Sequence, residues 1–269
     1  MLKDITIGQY FPGNSVIHRM DSRFKIVLDI LYVVILFLAN NFISLAVAGI
    51  FIFMAYGVSE IKPVMMFKSL KPLLPLILFT AALNLFFVKG TDEPLVSWWI
   101  INIYQEGIST AVFMIVRIIC LIVGMSLLTY TTSPIVLTDA IERLLSPLKK
   151  IKLPVHELAM MMTIALRFIP TLIEETDKIM SAQKARGADL DTGGLMKRAK
   201  ALVPILIPLF VSAFKRANEL AMAMECRCYR GGEGRTKLRQ LKAQPIDYII
   251  SLLMITVLGF VIVDNIVFV

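Results

Sequence analysis

Five apolar runs, each close to the length needed to cross a lipid bilayer, constrain this chain more than any other feature of its sequence. They occupy roughly residues 25–40, 42–58, 72–88, 108–130 and 246–268. A membrane-spanning helix needs about 20 mostly apolar residues, with a range of about 17–25. Hydrophobic residues make up 57% of the chain, whereas soluble domains average roughly 45–50%. The sequence therefore predicts an all-α polytopic membrane protein.

The distribution of Lys and Arg predicts how the spans are oriented, because cytoplasmic loops carry an excess of these residues. Residues 1–25 carry four of them, and Lys62, Lys68 and Lys71 follow the second span. The loop 89–107 carries only Lys89 and contains three acidic residues. We therefore expect the N-terminus inside, 89–107 outside, the fourth span returning to the cytoplasm and the C-terminus outside.

The segment 131–245 is both basic and apolar. It carries 19 of the 28 Lys and Arg residues. Its two apolar stretches, 158–173 and 201–214, resemble spans, but if both crossed the membrane the basic segment 174–200 would lie outside. We interpret them as parts of long amphipathic helices at the cytoplasmic face. This divides the chain into an N-terminal membrane domain (1–130, about four spans), a cytoplasmic coupling-helix domain (131–245) and a C-terminal transmembrane helix (246–269).

About three helices are predicted between the fourth and fifth spans. Ser133-Pro134 is a favourable helix start, and the first helix should reach about Lys149. The second should run from near Pro154 to Gly187, since glycine commonly ends helices in the left-handed conformation. The third should begin after Gly193-Gly194, end near Tyr229 and pack against or cross the second. Prolines at 170, 204 and 208 should kink these helices.

Motifs for several chemistries are missing from the sequence. It contains no G-x-x-x-x-G-K-[ST] phosphate loop, no H-E-x-x-H and no G-x-S-x-G. Cys226 and Cys228 form an isolated C-x-C pair, far in sequence from His18 and His156, so we expect no metal site. The net charge of +8 suits cytoplasmic loops better than nucleic-acid binding.

Two arginines within apolar stretches have alternative interpretations. Arg117 lies in the middle of the fourth span, where a charge marks either a transport pathway or a structural tie, and we favour the tie. Arg167 could pair with Glu174 or Glu175. The Met-rich segments 159–162 and 220–224 fit either helix packing or an adaptable surface for several partners.

Two other arginines occupy similar helix ends, Arg186 in Ala185-Arg186-Gly187 and Arg227 in Cys226-Arg227-Cys228. An arginine near a helix C-terminus complements the helix dipole. Small flanking residues would also allow each tip to enter a groove, where a guanidinium binds carboxylates and carbonyls. The pattern is therefore compatible with simple capping or with docking of two helix ends into two sites on a partner.

The sequence resembles the transmembrane coupling (T) component of energy-coupling factor transporters, the vitamin-uptake branch of ATP-binding cassette importers. The resemblance covers most of the chain and is strongest over 156–239, including "ALRFIPTLIEETDKIMSAQKARGADL" and "ANELAMAMECRCYRGGEGRT". The first motif matches the family's Ala-Arg-Gly. The second departs from it, because Cys226 and Cys228 replace Ala and Gly, which raises a question about how the third helix ends.

The resemblance implies a non-catalytic subunit in a multi-pass bacterial cell-membrane complex. Two ATPase subunits, expected to be a heterodimer, would each receive one motif arginine, and these partners rather than this chain would use ATP and Mg. The lipid bilayer and small substrate-binding membrane proteins (S components) complete the expected partners, with no nucleic acid and no cofactor bound by this chain. The apolar middle of the coupling helices should contact the S component, with candidates Met161, Ala165, Phe168, Leu206, Phe210 and Met222.

Several alternatives remain at this point. The T component could be shared among S components, which the "RGGEGRT" match and the Met-rich segments favour, or dedicated to a cobalt, nickel or biotin importer. A self-sufficient secondary transporter is less favoured, because it should show inverted repeats and none is evident. A membrane-embedded enzyme would need paired carboxylates or a metal cluster, which the sequence lacks.

Overall fold

The computed structural model describes residues 10–88, 96–98, 101–188, 194–232 and 241–267. Most of these residues are helical, as predicted. The predicted turn residue Gly193, most of the loop 89–107 and the segment 233–240 lie outside the described residues. The helices are α1 (Val16–Arg19), α2 (Ser22–Leu38), α3 (Phe42–Val58), α4 (Pro63–Leu70), α5 (Leu74–Phe87), α6 (Gln105–Thr131), α7 (Pro134–Leu144), α8 (Val155–Ala185), α9 (Leu195–Cys226) and α10 (Pro245–Val267).

The chain forms two units, one of which contains most of the predicted spans. The bundle unit consists of Gly8–Ala140 and Gln240–Val269, and the hairpin unit contains Ile141–Arg239. The predicted domain limits 1–130, 131–245 and 246–269 stay a prediction.

The core of the bundle unit forms where α2 packs against α3, α6 and α10. Tyr32, Ile35 and Val123 are almost completely buried there. Gly124 makes this packing possible, because a Cβ atom at that position would lie 2.7 Å from Cε1 of Tyr32. The Tyr32 hydroxyl donates a hydrogen bond to the Ala48 carbonyl (3.3 Å), so the phenol is satisfied inside an apolar core.

Five helical segments are long and apolar enough to cross a membrane, judged by length and composition: Pro63–Phe87, Gln105–Thr131, Val155–Ala185, Lys200–Cys226 and Pro245–Val267. The expected number of spans agrees, but the membership differs. The third predicted span starts at Pro63 instead of residue 72, because α4 continues through a short 3₁₀ turn (Lys71–Leu73) into α5. The first two predicted spans form α2 and α3, each of 17 residues.

A short β-hairpin precedes α6. Strand β1 (Val96–Trp98) pairs antiparallel with β2 (Ile101–Ile103), in a register that matches Val96 with Ile103. The loop that contains it was predicted without regular structure. A three-residue strand is too short to be recognised from side-chain alternation.

Buried polar groups tie the helices of the bundle together at the start of α2. The Asp247 side chain is completely buried and accepts hydrogen bonds from the backbone N–H of Asp21 (3.1 Å) and of Gln244 (2.7 Å). Lys25 Nζ donates to the Thr131 carbonyl (3.0 Å), where α6 ends. Each charged group thus satisfies backbone groups at a helix terminus, which would otherwise be unpaired.

A second polar cluster lies where α2 ends. Asp264 accepts hydrogen bonds from Asn41 Nδ2 (3.2 Å) and from the Ser44 hydroxyl. Arg117 Nη2 donates to the Ala39 carbonyl, and its guanidinium carbon lies 4.6 Å from the ring centroid of Phe113. The structural tie favoured for Arg117 is thus a bond to the backbone that follows α2.

The hairpin unit consists mainly of α8 and α9. The helix predicted to reach Lys149 ends as an α-helix at Leu144 and continues as a 3₁₀ turn over Ser146–Ile151. Pro147 lacks the N–H that a continuing α-helix would use. Helix α8 continues through Pro170, and α9 continues through Pro204 and Pro208.

Candidate docking site at two helix ends

Helices α8 and α9 pack antiparallel, and three contacts along their length define the register. Gln183 Nε2 donates to the Pro204 carbonyl (3.4 Å), and the Ser212 hydroxyl donates to Glu175. Beyond the end of α9, Gly232 lies against the ring of His156 near the start of α8. The residue number rises along one helix as it falls along the other, so the predicted neighbouring of these helices is confirmed and its sense is antiparallel.

A polar clasp joins the two helices near their middle. Glu175 of α8 accepts hydrogen bonds from the Ser212 hydroxyl and from Arg216 Nη2 of α9, the latter at 2.9 Å. The Glu175 and Arg216 side chains are 22% and 35% exposed, so the ion pair is partly shielded from water. The suggested pairing of Arg167 with Glu174 or Glu175 is wrong, because Glu175 pairs with Arg216 on the neighbouring helix.

Helix α8 ends in a Schellman motif centred on the first predicted docking motif. Gly187 adopts a left-handed conformation (φ +85°). The Gly187 N–H donates to the Lys184 carbonyl and the Ala188 N–H to the Gln183 carbonyl, both at 3.0 Å. These two bonds satisfy carbonyls that a helix end leaves unpaired. The predicted stop at Gly187 is confirmed.

Helix α9 ends in the same way, although its motif has no glycine. Cys228 adopts the left-handed conformation (φ +55°). Its N–H donates to the Glu225 carbonyl (2.8 Å), and the Tyr229 N–H donates to the Met224 carbonyl (3.0 Å). Cys228 therefore takes the role that Gly187 has in α8. The question raised by Cys226 and Cys228 is resolved, since replacing Gly by Cys preserves the helix ending.

Both docking arginines are the C-terminal cap residues of their helices, and both are exposed. The flanking residues Ala185, Gly187, Cys226 and Cys228 are exposed as well. Because the helices are antiparallel, Arg186 and Arg227 lie at opposite ends of the hairpin. With a rise of 1.5 Å per residue, the register separates them by roughly 35 Å. The hairpin thus presents two cationic tips of identical backbone geometry to its surroundings.

The residues predicted to contact a membrane partner are divided by the register into separate groups. Met161 and Ala165 on α8 lie opposite the last turns of α9, near Met222. Leu206 and Phe210 on α9 lie opposite residues 177–181 of α8, at the other end, and Phe168 lies between the two groups. Phe168 is half-buried, and the other five residues are exposed. Their role as a contact surface stays a prediction.

The Met-rich segments of the two helices are brought together by the same register. Residues 159–162 of α8 lie opposite the region of 220–224 in α9, at the end of the hairpin that carries Arg227. Met161, Met162 and Met222 are exposed, so part of this cluster is available as a flexible apolar surface.

The chemistry available at the two tips is that of binding. Within the described residues, no group of three or more His, Cys, Asp or Glu side chains has a metal-binding arrangement. Each tip offers one guanidinium, with five N–H donors in a planar fork that fits carboxylates and carbonyls. The sequence analysis found both tips but missed the Glu175 clasp, because the pairing depends on the register between α8 and α9.

Comparisons with known proteins agree on one family. The model of the cobalt transport protein family matches residues 13–238. Several relatives carry the name energy-coupling factor transporter transmembrane protein EcfT. One from Clostridium kluyveri is 56% identical over 252 residues, covering 94% of this chain and 93% of the relative. One from Ruminiclostridium cellulolyticum is 50% identical and covers 100% of both chains, and one from Bacillus subtilis is 47% identical, covering 97% of this chain and 98% of the relative.

Proposed function

The chain belongs to the family of energy-coupling factor transporter transmembrane proteins, and from this premise we propose that it couples ATPase motion to substrate uptake. In this proposal, two cytoplasmic ATPase subunits of the ATP-binding cassette type, forming a heterodimer, bind the tips of α8 and α9. The hairpin transmits their motion to a small membrane-embedded S component that carries a vitamin or another micronutrient. The chain itself performs no catalysis, and the ATPases bind ATP and Mg.

The observation that carries this proposal is the equivalence of the two helix ends. Arg186 and Arg227 cap two antiparallel helices, are exposed and are followed by the same left-handed residue position. Capping alone would not require the same Schellman geometry at both ends with a residue as unfavourable as Cys228 at one of them. Two equivalent tips are what a partner with two equivalent docking grooves requires.

The proposed orientation places the N-terminus and the hairpin in the cytoplasm of a bacterial cell. Helices α8 and α9 have the length and composition of spans. If both crossed the membrane, their connection would carry six Lys and Arg residues between 174 and 200 to the outside, against the positive-inside rule. Exposed apolar side chains on α9, such as Ile207, Phe210 and Phe214, then serve contact with lipid or with the S component.

We favour a T component that is shared among several S components. The exposed methionines at the Arg227 end of the hairpin support this version, because a flexible thioether surface adapts to different partners. The alternative is a dedicated component of a cobalt, nickel or biotin importer, and the cobalt transport name of the matching family keeps that version open. A self-sufficient secondary transporter is the third possibility.

A pull-down of the tagged chain from its native membranes in mild detergent tests the proposal. We expect two ATPases and several small membrane proteins to be recovered with the native chain. The charge reversals Arg186→Glu and Arg227→Glu should each reduce ATPase recovery, and the double variant should abolish it. Lys215→Glu is the matched control, because Lys215 is an exposed cation of α9 away from either tip.

The outcomes distinguish the alternatives. Recovery of a single small membrane protein would indicate a dedicated importer. Unchanged ATPase recovery with the double variant would contradict the docking role of the two arginines. Uptake by the purified chain alone in vesicles without ATP would favour a secondary transporter.

A further inference from the structure

The Glu175–Arg216 clasp lies at equal chain distance from the two docking arginines. Glu175 precedes Arg186 by 11 residues, and Arg216 precedes Arg227 by 11 residues. Eleven residues are about three helical turns, or about 16 Å. The clasp therefore joins equivalent positions of α8 and α9, at the midpoint between the two tips.

The equivalence extends along both helices when α8 is compared with the sequence 41 residues later. Thr171 corresponds to Ser212, Asp177 to Asn218 and Ala182 to Ala223. Between 174 and 186, every charged residue that meets a charged counterpart meets the opposite sign, with one exception. The opposite pairs are Glu174 and Lys215, Glu175 and Arg216, Lys178 and Glu219, and Lys184 and Glu225. The exception is Arg186 and Arg227.

An antiparallel pair of equivalent helices has an approximate twofold axis, and the charge pattern follows from it. Equivalent residues near the axis face each other, so like charges there would repel and opposite charges attract. Equivalent residues at the tips are roughly 35 Å apart by the helical rise. That distance exceeds the Debye length of about 8–10 Å, so two arginines are tolerated there. The similarity that the sequence analysis did not find is thus a repeat with reversed charges.

We propose that Glu175, Ser212 and Arg216 are positioning residues, which hold Arg186 and Arg227 at a spacing that lets two ATPases related by a twofold axis bind at the same time. This inference rests on the proposed function and extends it. A partner with two linked grooves gains avidity, commonly 10²–10⁴-fold, only when both grooves are occupied together. The clasp supplies that geometry because it fixes the register of the helices that carry the tips.

The contacts of the clasp suit this role. The two oxygens of the Glu175 carboxylate are used separately, one by the Ser212 hydroxyl and the other by Arg216 Nη2. An acceptor with two bound donors from one neighbouring helix resists both sliding and rotation. A charge exchange between positions 175 and 216 keeps an ion pair and leaves the Ser212 hydroxyl available as an acceptor, so it provides a rescue variant.

The experiment measures binding of the purified ATPase pair to the full-length chain, immobilised in detergent micelles. Arg216→Glu, Glu175→Arg and the exchange double variant are compared with Lys215→Glu, a control at the adjacent residue. Every variant is also made in an Arg186→Glu background, where only one tip can bind. The change in Kd in the two backgrounds separates loss of double engagement from general loss of structure.

We expect Arg216→Glu to raise Kd about tenfold in the native background, as partial loss of avidity predicts. In the Arg186→Glu background it should change Kd by less than about twofold, since binding there is already monovalent. The exchange variant should restore most of the affinity, and Lys215→Glu should leave it unchanged. Equal losses in both backgrounds, or no loss in the native one, would overturn the positioning role. If the native chain does not bind the ATPases, or if Arg186→Glu leaves native binding intact, the proposed function itself fails.

Discussion

At the scale of single residues, Cys228 shows how a helix ending can survive the loss of its glycine. A residue with a Cβ atom in the left-handed conformation costs roughly 1–2 kcal/mol, and Cys228 has φ +55°. The two Schellman hydrogen bonds and the exposure of the side chain make this conformation tolerable. Selection of a small residue at 228 is consistent with a tip that must enter a groove.

Cys228→Gly should therefore stabilise the end of α9. We expect a gain of about 0.5–1 kcal/mol, because glycine removes the left-handed penalty but adds freedom to the unfolded chain. The measurement is hydrogen exchange of the Tyr229 amide, which is bonded to the Met224 carbonyl and should exchange more slowly. Gly187→Cys is the mirror experiment in α8 and should accelerate exchange of the Ala188 amide. Faster exchange at Tyr229 in Cys228→Gly would contradict this explanation.

Arg117 provides the second residue-scale prediction. Replacing it with Met removes the donor to the Ala39 carbonyl while keeping a long side chain against Phe113. We expect the bundle to lose about 1–3 kcal/mol of stability, the cost of leaving a buried acceptor unpaired. Denaturation of the purified chain in SDS–detergent mixtures measures this loss, and Arg117→Lys should recover part of it. Arg167→Met, at an exposed arginine, is the control and should have little effect.

At the scale of helices, the end of the hairpin that carries Arg227 depends on a close approach of backbone to a ring. A Cβ atom on Gly232 would lie 2.4 Å from Cδ2 of His156, and His156 Nδ1 donates to Glu142 Oε1 at 2.9 Å. The chain that leaves α9 is thereby packed against the start of α8.

Gly232→Ala should detach this segment. The added methyl group would displace His156 and weaken its bond to Glu142, at a cost of about 1–3 kcal/mol. Limited proteolysis in detergent should then cleave more rapidly near residues 229–232. Gly194→Ala is the matched control, because an added Cβ atom there has no neighbour within 4 Å. Equal cleavage rates in the two variants would show that the contact does not hold the segment.

The elements of the hairpin could be predicted from the sequence to different degrees. The starts near Ser133-Pro134 and Pro154 and the stop at Gly187 were predictable, since local residues determine helix ends. The pairing of Glu175 with Arg216 was not, because each has charged neighbours in sequence and only the register selects the partner. The 41-residue spacing between the docking arginines is the signal that could have revealed it. The strands at 96–103 offered no such signal.

At the scale of the whole molecule, lengths and charges lead to different expectations for α8 and α9. By length and hydropathy they qualify as spans, as α6 and α10 do. Their charges argue otherwise, because a polar clasp crosses their middle and basic residues follow it. A half-exposed ion pair is inexpensive in water but costly in hydrocarbon unless protein surrounds it. The proposed cytoplasmic location of the hairpin therefore has a direct test in side-chain accessibility.

The native cysteines provide that test. Cys226 and Cys228 are free and exposed, whereas Cys120 is buried in the bundle. In spheroplasts that express the chain without its ATPases, a membrane-impermeant maleimide should leave Cys226 and Cys228 unlabelled. It should label a cysteine introduced by Glu106→Cys, because the exposed residue 106 follows the loop predicted to lie outside.

Inverted vesicles should show the reverse pattern, since their cytoplasmic face is turned outward. A permeant maleimide should label all three exposed positions in both preparations, which controls for intrinsic reactivity, and Cys120 should react slowly throughout. Labelling of Cys226 and Cys228 from outside intact spheroplasts would place the Arg227 tip on the wrong side of the membrane for a cytoplasmic ATPase. That result would contradict the coupling function even if both arginines were required for uptake.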